Sequence, residues 1–221
     1  MNPSQHLETL SEIRSLMERS SRFISLSGLS GVVAGIAALL GAAMVYLYLG
    51  VSPFEQDRPY YAMATEVDRW GIDYLTFFIL DAIGVILLAV GFGIFFTTRK
   101  AKRKGQKVWD ALTRRLLISL AIPLIAGGFF CLALLKYDHV GLVAPAMLIF
   151  YGLALVNASK YTLHNVQYLG LCEIVLGIIA SFWLGYGLEA WAVGFGFLHI
   201  IYGVWMYYKY EAEEHKMSKQ P

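Results

Sequence analysis

Residues 24–50, ISLSGLSGVVAGIAALLGAAMVYLYLG, run without one charged side chain, and five more apolar runs follow at about 72–97, 115–136, 140–158, 166–187 and 190–208. A helix needs about 20 mostly apolar residues to cross the hydrocarbon of a bilayer. Strands would show polar and apolar residues alternating with a period of two, which these runs lack. The expected fold is therefore an all-α membrane bundle of six transmembrane helices. Composition agrees: 57% of the residues are hydrophobic and 15% are charged, against about 25% charged in a soluble domain. A polar stretch precedes the first run, which is too long for the apolar core of a cleavable signal and reads as the first span.

Basic residues set the expected orientation. Segment 99–115, RKAKRKGQKVWDALTRR, holds eight of them against one acidic residue. Placing it in the cytoplasm puts fifteen of the eighteen Lys and Arg inside, leaving Arg58, Arg69 and Lys136 outside. Both termini then face the cytoplasm, as an even number of crossings requires. Arg99, Lys100, Lys102, Arg103, Lys104 and Lys107 are the expected contacts to anionic lipid headgroups. Between two spans that role accounts for the charge, and no nucleic-acid partner is expected.

The chain divides into a cytoplasmic amphipathic helix within 1–23, a bundle over 24–210 with an outer loop at 51–71, and a polar cytoplasmic tail over 211–221. In residues 4–22, SQHLETLSEIRSLMERSSR, apolar Leu7, Leu10, Ile13, Leu16 and Met17 alternate with charges. Such a stretch suits the membrane interface or a protein partner.

Glycines repeat at matching places. Gly28 and Gly35 match Gly170 and Gly177 with an offset of 142, and Tyr151-Gly152 matches Tyr202-Gly203 with an offset of 51. Ala34-Gly35 also matches Ala126-Gly127. Three related helical hairpins are expected, the first enlarged by its outer loop. In lipid, helices associate through packing, and small residues let backbones meet. Gly31, Gly35, Gly91, Gly127, Gly152, Gly177 and Gly203 are the expected packing positions. Oligomerisation through such a surface stays open.

The third hairpin, GLCEIVLGIIASFWLGYGLEAWAVGFGFLHIIYGVWMYYK, resembles the two-helix repeat of HdeD-type bacterial acid-resistance membrane proteins. That family's turn proline is missing between Gly185 and Glu189, and the N-terminal helix and basic segment also depart from its pattern. The resemblance implies a non-enzymatic, stress-associated protein of the bacterial inner membrane.

Three ionisable residues fall inside spans, where they are costly and face protein or water: Asp81, Glu173 and His199. Glu173 stands four residues before Gly177 and His199 four before Gly203. Residues four apart share a helix face, so both side chains should point where the glycines pack. Two uses fit such a group: a hydrogen-bonded pair that holds helices together, or a path for protons or a small ion. Tyr151 and Tyr202, each directly before a glycine, are candidates for hydrogen bonds across the bundle.

Cys131 and Cys172 lack ligand or redox spacing and read as buried thiols. No pattern supports a metal or a cofactor. No nucleophile motif, phosphate loop or metalloprotease motif is present, so an enzyme is not expected. Three functions are thus ordered: a stress or regulatory protein acting by assembly or partner contact, a small proton, ion or solute channel or transporter, and last a membrane-embedded enzyme.

Overall fold

Apolar runs that must satisfy their own backbone in lipid become helices, and the computed structural model of the chain is built from them. It describes residues 27–53, 68–103, 105 and 108–212. The N-terminal helix expected at 4–22, most of the loop 51–71, Lys104, Lys107 and the tail beyond residue 212 lie outside the described residues.

Helices α1 (Gly28–Leu49), α2 (Tyr74–Arg103), α3 (Ala111–Lys136) and α4 (Val143–Ala158) are followed by α5 (Val166–Phe182) and α6 (Gly187–Tyr210). Short 3₁₀ turns extend α4 at both ends, to Val140–Tyr161. Five of the helices, with α4 so extended, are long and apolar enough to cross a membrane, and α5 is a shorter apolar helix. The described residues are helical apart from one short hairpin, and the chain is a multi-pass membrane protein. Helix α2 runs further than the apolar pattern indicated, carrying Arg99, Lys100, Lys102 and Arg103 on its last turns. Cations there complement the negative end of the helix dipole, which extends the helix past its apolar part.

Polar ends hold the helices in place. Asp110 caps α3, its carboxylate accepting from the Thr113 N–H at 2.7 Å. That bond, with the Thr113 hydroxyl, holds the Asp110 carboxyl below the ordinary aspartate range. A lowered folded-state pKa means the stabilisation is complete above the unfolded value and fades as pH falls through the folded one. Asp110→Ala is expected to cost about 1 kcal/mol at neutral pH. Asp110→Asn should keep the cap and remove its acid sensitivity. Thermal midpoints in detergent at neutral and acid pH measure both; an alanine variant equal to the parent at neutral pH would dismiss the cap.

At the other end of α1, Asp68–Arg69 and Ile72–Asp73 form a two-residue antiparallel hairpin. Its turn residues Trp70 and Gly71 both have positive φ, 62° and 70°, as a tight I′ turn requires. Arg69 donates to the Leu47 carbonyl at 2.6 Å, closing the C-terminus of α1. Tyr48 donates to the Ile72 carbonyl at 2.7 Å and stacks on Phe77 with centroids 3.9 Å apart. The hairpin therefore fixes α1 against the start of α2.

Sequence neighbours within the third hairpin are not its closest partners. Helix α5 packs chiefly on α4, and α6 packs chiefly on α1, while α2 lies on α1 and α3 on α4. A Cβ on Gly35 would fall 2.6 Å from the Gly196 carbonyl oxygen and 2.7 Å from Ile200 Cγ1; one on Gly177 would fall 2.9 Å from the Pro145 carbonyl oxygen and 2.7 Å from Ile149 Cγ1. Gly28 meets Gly203, just as Gly170 meets Gly152. Every partner in one set is related to its counterpart by the offsets of 142 and 51 seen in the sequence. The repeat is thus physical: α1·α6 and α5·α4 are two copies of one glycine-to-backbone helix crossing.

A third copy, joining α3 to α2, is not formed. Nothing lies within 4 Å of a Cβ at Gly91, so it is not a packing contact. Gly127 meets Phe150 of its own hairpin partner α4. The reason is that α2 is committed to α1 through Val85 and Asp81 against Gly41, on a different face from Gly91.

Cys172 is exposed on the outside of the bundle and Cys131 is partly buried, so neither is the fully buried thiol expected from its apolar context. A span one residue wide cannot be assigned a facing from hydrophobicity when lipid and core are equally apolar.

Candidate intramembrane polar site

Glu173 has no exposed surface, and His199 is 6% exposed. Glycine explains how a carboxylate enters so tight a place. On α6, Gly194 lacks the Cβ that would collide with Glu173 Oε2 and with Leu148 Cδ2. The site thus forms where α4, α5 and α6 meet, in the seam between the two repeated helix pairs.

Residues Ala192–Leu198, just before His199, are π-helical. Such widened turns release carbonyls from the regular α-helical pattern. The Gly194 carbonyl accepts from His199 Nδ1 at 2.9 Å. A carbonyl cannot donate, so Nδ1 carries a proton. Nε2 lies 2.8 Å from the Tyr151 hydroxyl. In the neutral ring it accepts from that O–H; in the imidazolium it donates. The imidazole is thereby held at both nitrogens, by α6 itself and by α4.

Glu173 Oε1 stands 3.4 Å from His199 Nδ1. That distance is a charge contact, yet the N–H is already directed to Gly194. Neither Glu173 oxygen has a hydrogen-bond partner among the described residues. An unpaired polar group in an apolar interior carries a penalty of about 1–3 kcal/mol from mutational data. Aromatic rings enclose the rest of the site: Phe195 stacks on His199 with centroids 6.0 Å apart, and Tyr151 lies 4.9 Å from Phe195.

The other candidates are placed as follows. Asp81 lies against Gly41 on α1, away from the Glu173–His199 seam. Among the described residues it has no hydrogen bond or ion pair, and it does not join the cluster. The physical reason is pairing: among the described residues α2 packs chiefly on α1, while the site is made by α4, α5 and α6. Tyr151 bonds across the bundle to His199, whereas the buried Tyr202 hydroxyl has no hydrogen-bond partner among the described residues. Gly31 lies beside Gly203 and the His199 carbonyl. Arg99, Lys102 and Arg103 are exposed at the end of α2, and Lys100 is partly exposed. No group of three or more His, Cys, Asp and Glu is gathered for a metal among the described residues.

Sequence reasoning missed Gly194 and the π-helical turn. The signal available was Gly194 shortly before a span histidine, but its spacing of five to His199 is not that of neighbours on one α-helical face.

Residues 168–220 match the model of a short repeat of unknown function (DUF308), the repeat found in HdeD-like membrane proteins. The matched stretch contains Glu173, Gly177, Gly194, His199 and Gly203 and covers about a quarter of the chain. No curated protein and no solved structure matches the chain.

Proposed function

We propose that this is a non-enzymatic inner-membrane protein of the stress-associated, HdeD-like kind, whose working element is an intramembrane proton-binding group made by Glu173, His199 and Tyr151. Six spans with both termini in the cytoplasm are the arrangement we propose, supported by the basic residues on the last turns of α2. The observation that carries the functional reading is Glu173: a carboxyl with no exposed surface and no hydrogen bond among the described residues, 3.4 Å from an imidazole nitrogen. A carboxyl serving only to join helices would be expected to be hydrogen-bonded, because the bond is the source of its contribution.

Ionisable groups inside membranes mark proton relays and ion paths. Here two proton-binding groups touch, one held at both nitrogens and the other unpaired, so a proton arriving at the pair changes a charge in a water-poor interior. The consequence is either proton movement or a shift in helix packing at the α4–α5–α6 seam. Both couple to acidity, in keeping with the acid-resistance role that the resemblance implies. Partner contact through residues 4–22 is a compatible addition.

Purified protein in liposomes with an imposed pH gradient tests the relay. The parent protein should dissipate the gradient faster than empty vesicles, and Glu173→Gln should slow it at least about tenfold, which corresponds to about 1.4 kcal/mol. His199→Ala should do the same. Parent vesicles as tight as empty ones, with infrared difference spectra showing no Glu173 band that responds to pH, would overturn the reading.

A further inference from the structure

One N–H in the buried site stands between two acceptors. His199 Nδ1 lies 2.9 Å from the Gly194 carbonyl oxygen and 3.4 Å from Glu173 Oε1. While Glu173 is protonated and neutral, the nearer carbonyl keeps the bond. A hydrogen bond to an ionised acceptor is roughly twice as strong as one between neutral groups. Ionisation of Glu173 therefore reverses the choice, and a small turn of the imidazole completes it.

The carbonyl given up belongs to a widened turn that also touches another helix. Gly194 stands in the π-helical segment Ala192–Leu198, where carbonyls depart from the regular i→i+4 ladder. Loss of the His199 bond favours the α-helical arrangement, in which that carbonyl accepts from the Leu198 N–H four residues on. Helix α1 packs on the same segment. The Gly196 carbonyl oxygen faces Gly35 of α1, where a Cβ would fall 2.6 Å away, and Leu39 of α1 fills the space over Gly196. The acceptor in the site and the contact to α1 are thus two residues apart in one segment, so a change of turn at the first moves the second. Among the described residues, the titratable group facing the Glu173–His199 pair is Tyr151 from α4. Helix α1 meets the segment with Gly35 and Leu39, neither of which titrates, and Glu189, earlier on α6, faces Tyr46 of α1.

We propose that Ala192–Leu198 is a pH-sensitive switch that ties the charge of Glu173 to the crossing of α1 and α6. With Glu173 protonated, the segment holds the π-helical form and Gly196 sits against Gly35. On ionisation the proton leaves for the medium and the carboxylate takes the Nδ1–H, while His199 stays neutral with Nε2 accepting from Tyr151. The Gly194 carbonyl then turns to the Leu198 N–H and draws Gly196 out of register with Gly35. Acid tightens the crossing, and its withdrawal loosens it. This switch rests on the proton-binding reading of Glu173 given above and adds to it the part that moves.

Spin labels at Leu47→Cys on α1 and Ile201→Cys on α6, both exposed positions, read the crossing in a chain that also carries Cys131→Ala and Cys172→Ala. Pulsed electron resonance gives the distance between them, and the infrared carboxyl band lost in Glu173→Gln reports the ionisation of Glu173 over the same pH range. The parent should show one distance in acid. As the Glu173 band disappears, a second distance should replace it, displaced by about 1.5 Å or more, the rise of one helical residue. Glu173→Gln should keep the acid distance at every pH, which also shows that the variant is folded. His199→Phe withholds the N–H from Gly194 permanently and should show the second distance at every pH. An unchanged parent distance while the Glu173 band titrates would overturn the switch and leave the proton-binding group intact. A second distance that appears equally in Glu173→Gln, or a His199→Phe chain that holds the acid distance, would overturn it too. Absence of any Glu173 band that responds to pH would remove the proton-binding reading and this inference with it.

Discussion

Replacing Gly203 by leucine is expected to eliminate the folded protein. A Cβ there would sit 2.6 Å from both the Gly28 carbonyl oxygen and the Val32 nitrogen. Both are backbone atoms of α1, so no rotamer can yield, and the two helices must separate. Ordinary overpacking costs about 1–3 kcal/mol because side chains adjust; a backbone collision exceeds that range. Helices in lipid have little besides close packing to hold them together. Gly152→Leu should behave alike, since its Cβ would lie 2.5 Å from the Gly170 carbonyl oxygen in the equivalent crossing of α4 and α5. Gly91→Leu is the control, with no atom within 4 Å of its Cβ. The measurement is the yield of monodisperse protein in detergent and its thermal midpoint. A Gly203→Leu protein with the parent's profile would refute the repeated crossing.

Glu173→Met is expected to act in the opposite direction and raise stability. The change keeps length and volume while removing two buried oxygens that have no hydrogen bond among the described residues. Relief of an unsatisfied buried group is worth about 1–3 kcal/mol. His199 remains held by Gly194 and Tyr151 in the variant, so no new orphan is created. The thermal midpoint should rise and the pH-gradient dissipation should vanish together. That combination distinguishes a group retained for what it does from one retained for what it holds. A destabilised Glu173→Met would mean that the carboxyl is a structural pin.

These two residues illustrate how differently the fold and the site could be read. Run length placed six apolar helices within a few residues of their observed bounds, because the thickness of a bilayer dictates that length whatever the neighbours are. The offsets of 142 and 51 were visible as matching glycines. What they implied was not a set of self-contained hairpins. The repeated unit is a crossing between helices of different hairpins, α1 with α6 and α5 with α4. Offsets record that two stretches are alike; they do not record which stretch each one touches.

The site shows the same division. Glu173 and His199 were singled out from their burial cost and their spacing from glycines, and they meet. Asp81, chosen on the same grounds, lies with Gly41 elsewhere in the bundle. The Tyr151 hydroxyl was a candidate without a partner until the fold supplied His199. Gly194 could not be singled out, since its part depends on a π-helical turn that α-helical periodicity does not describe.

By itself the sequence determined that this chain lives in a membrane, that it does so as helices, that small residues recur where backbones meet, and that a few charges stand where charge is expensive. Each of those follows from local chemistry: transfer of side chains and peptide groups into lipid depends on the residue and its immediate run. The tertiary structure decided which helices pair and which of the intramembrane charges share a site. Those depend on side chains from α1, α4, α5 and α6 arriving at one place. In a solvent as apolar as the core, hydrophobic pattern gives no preference among the faces that could meet.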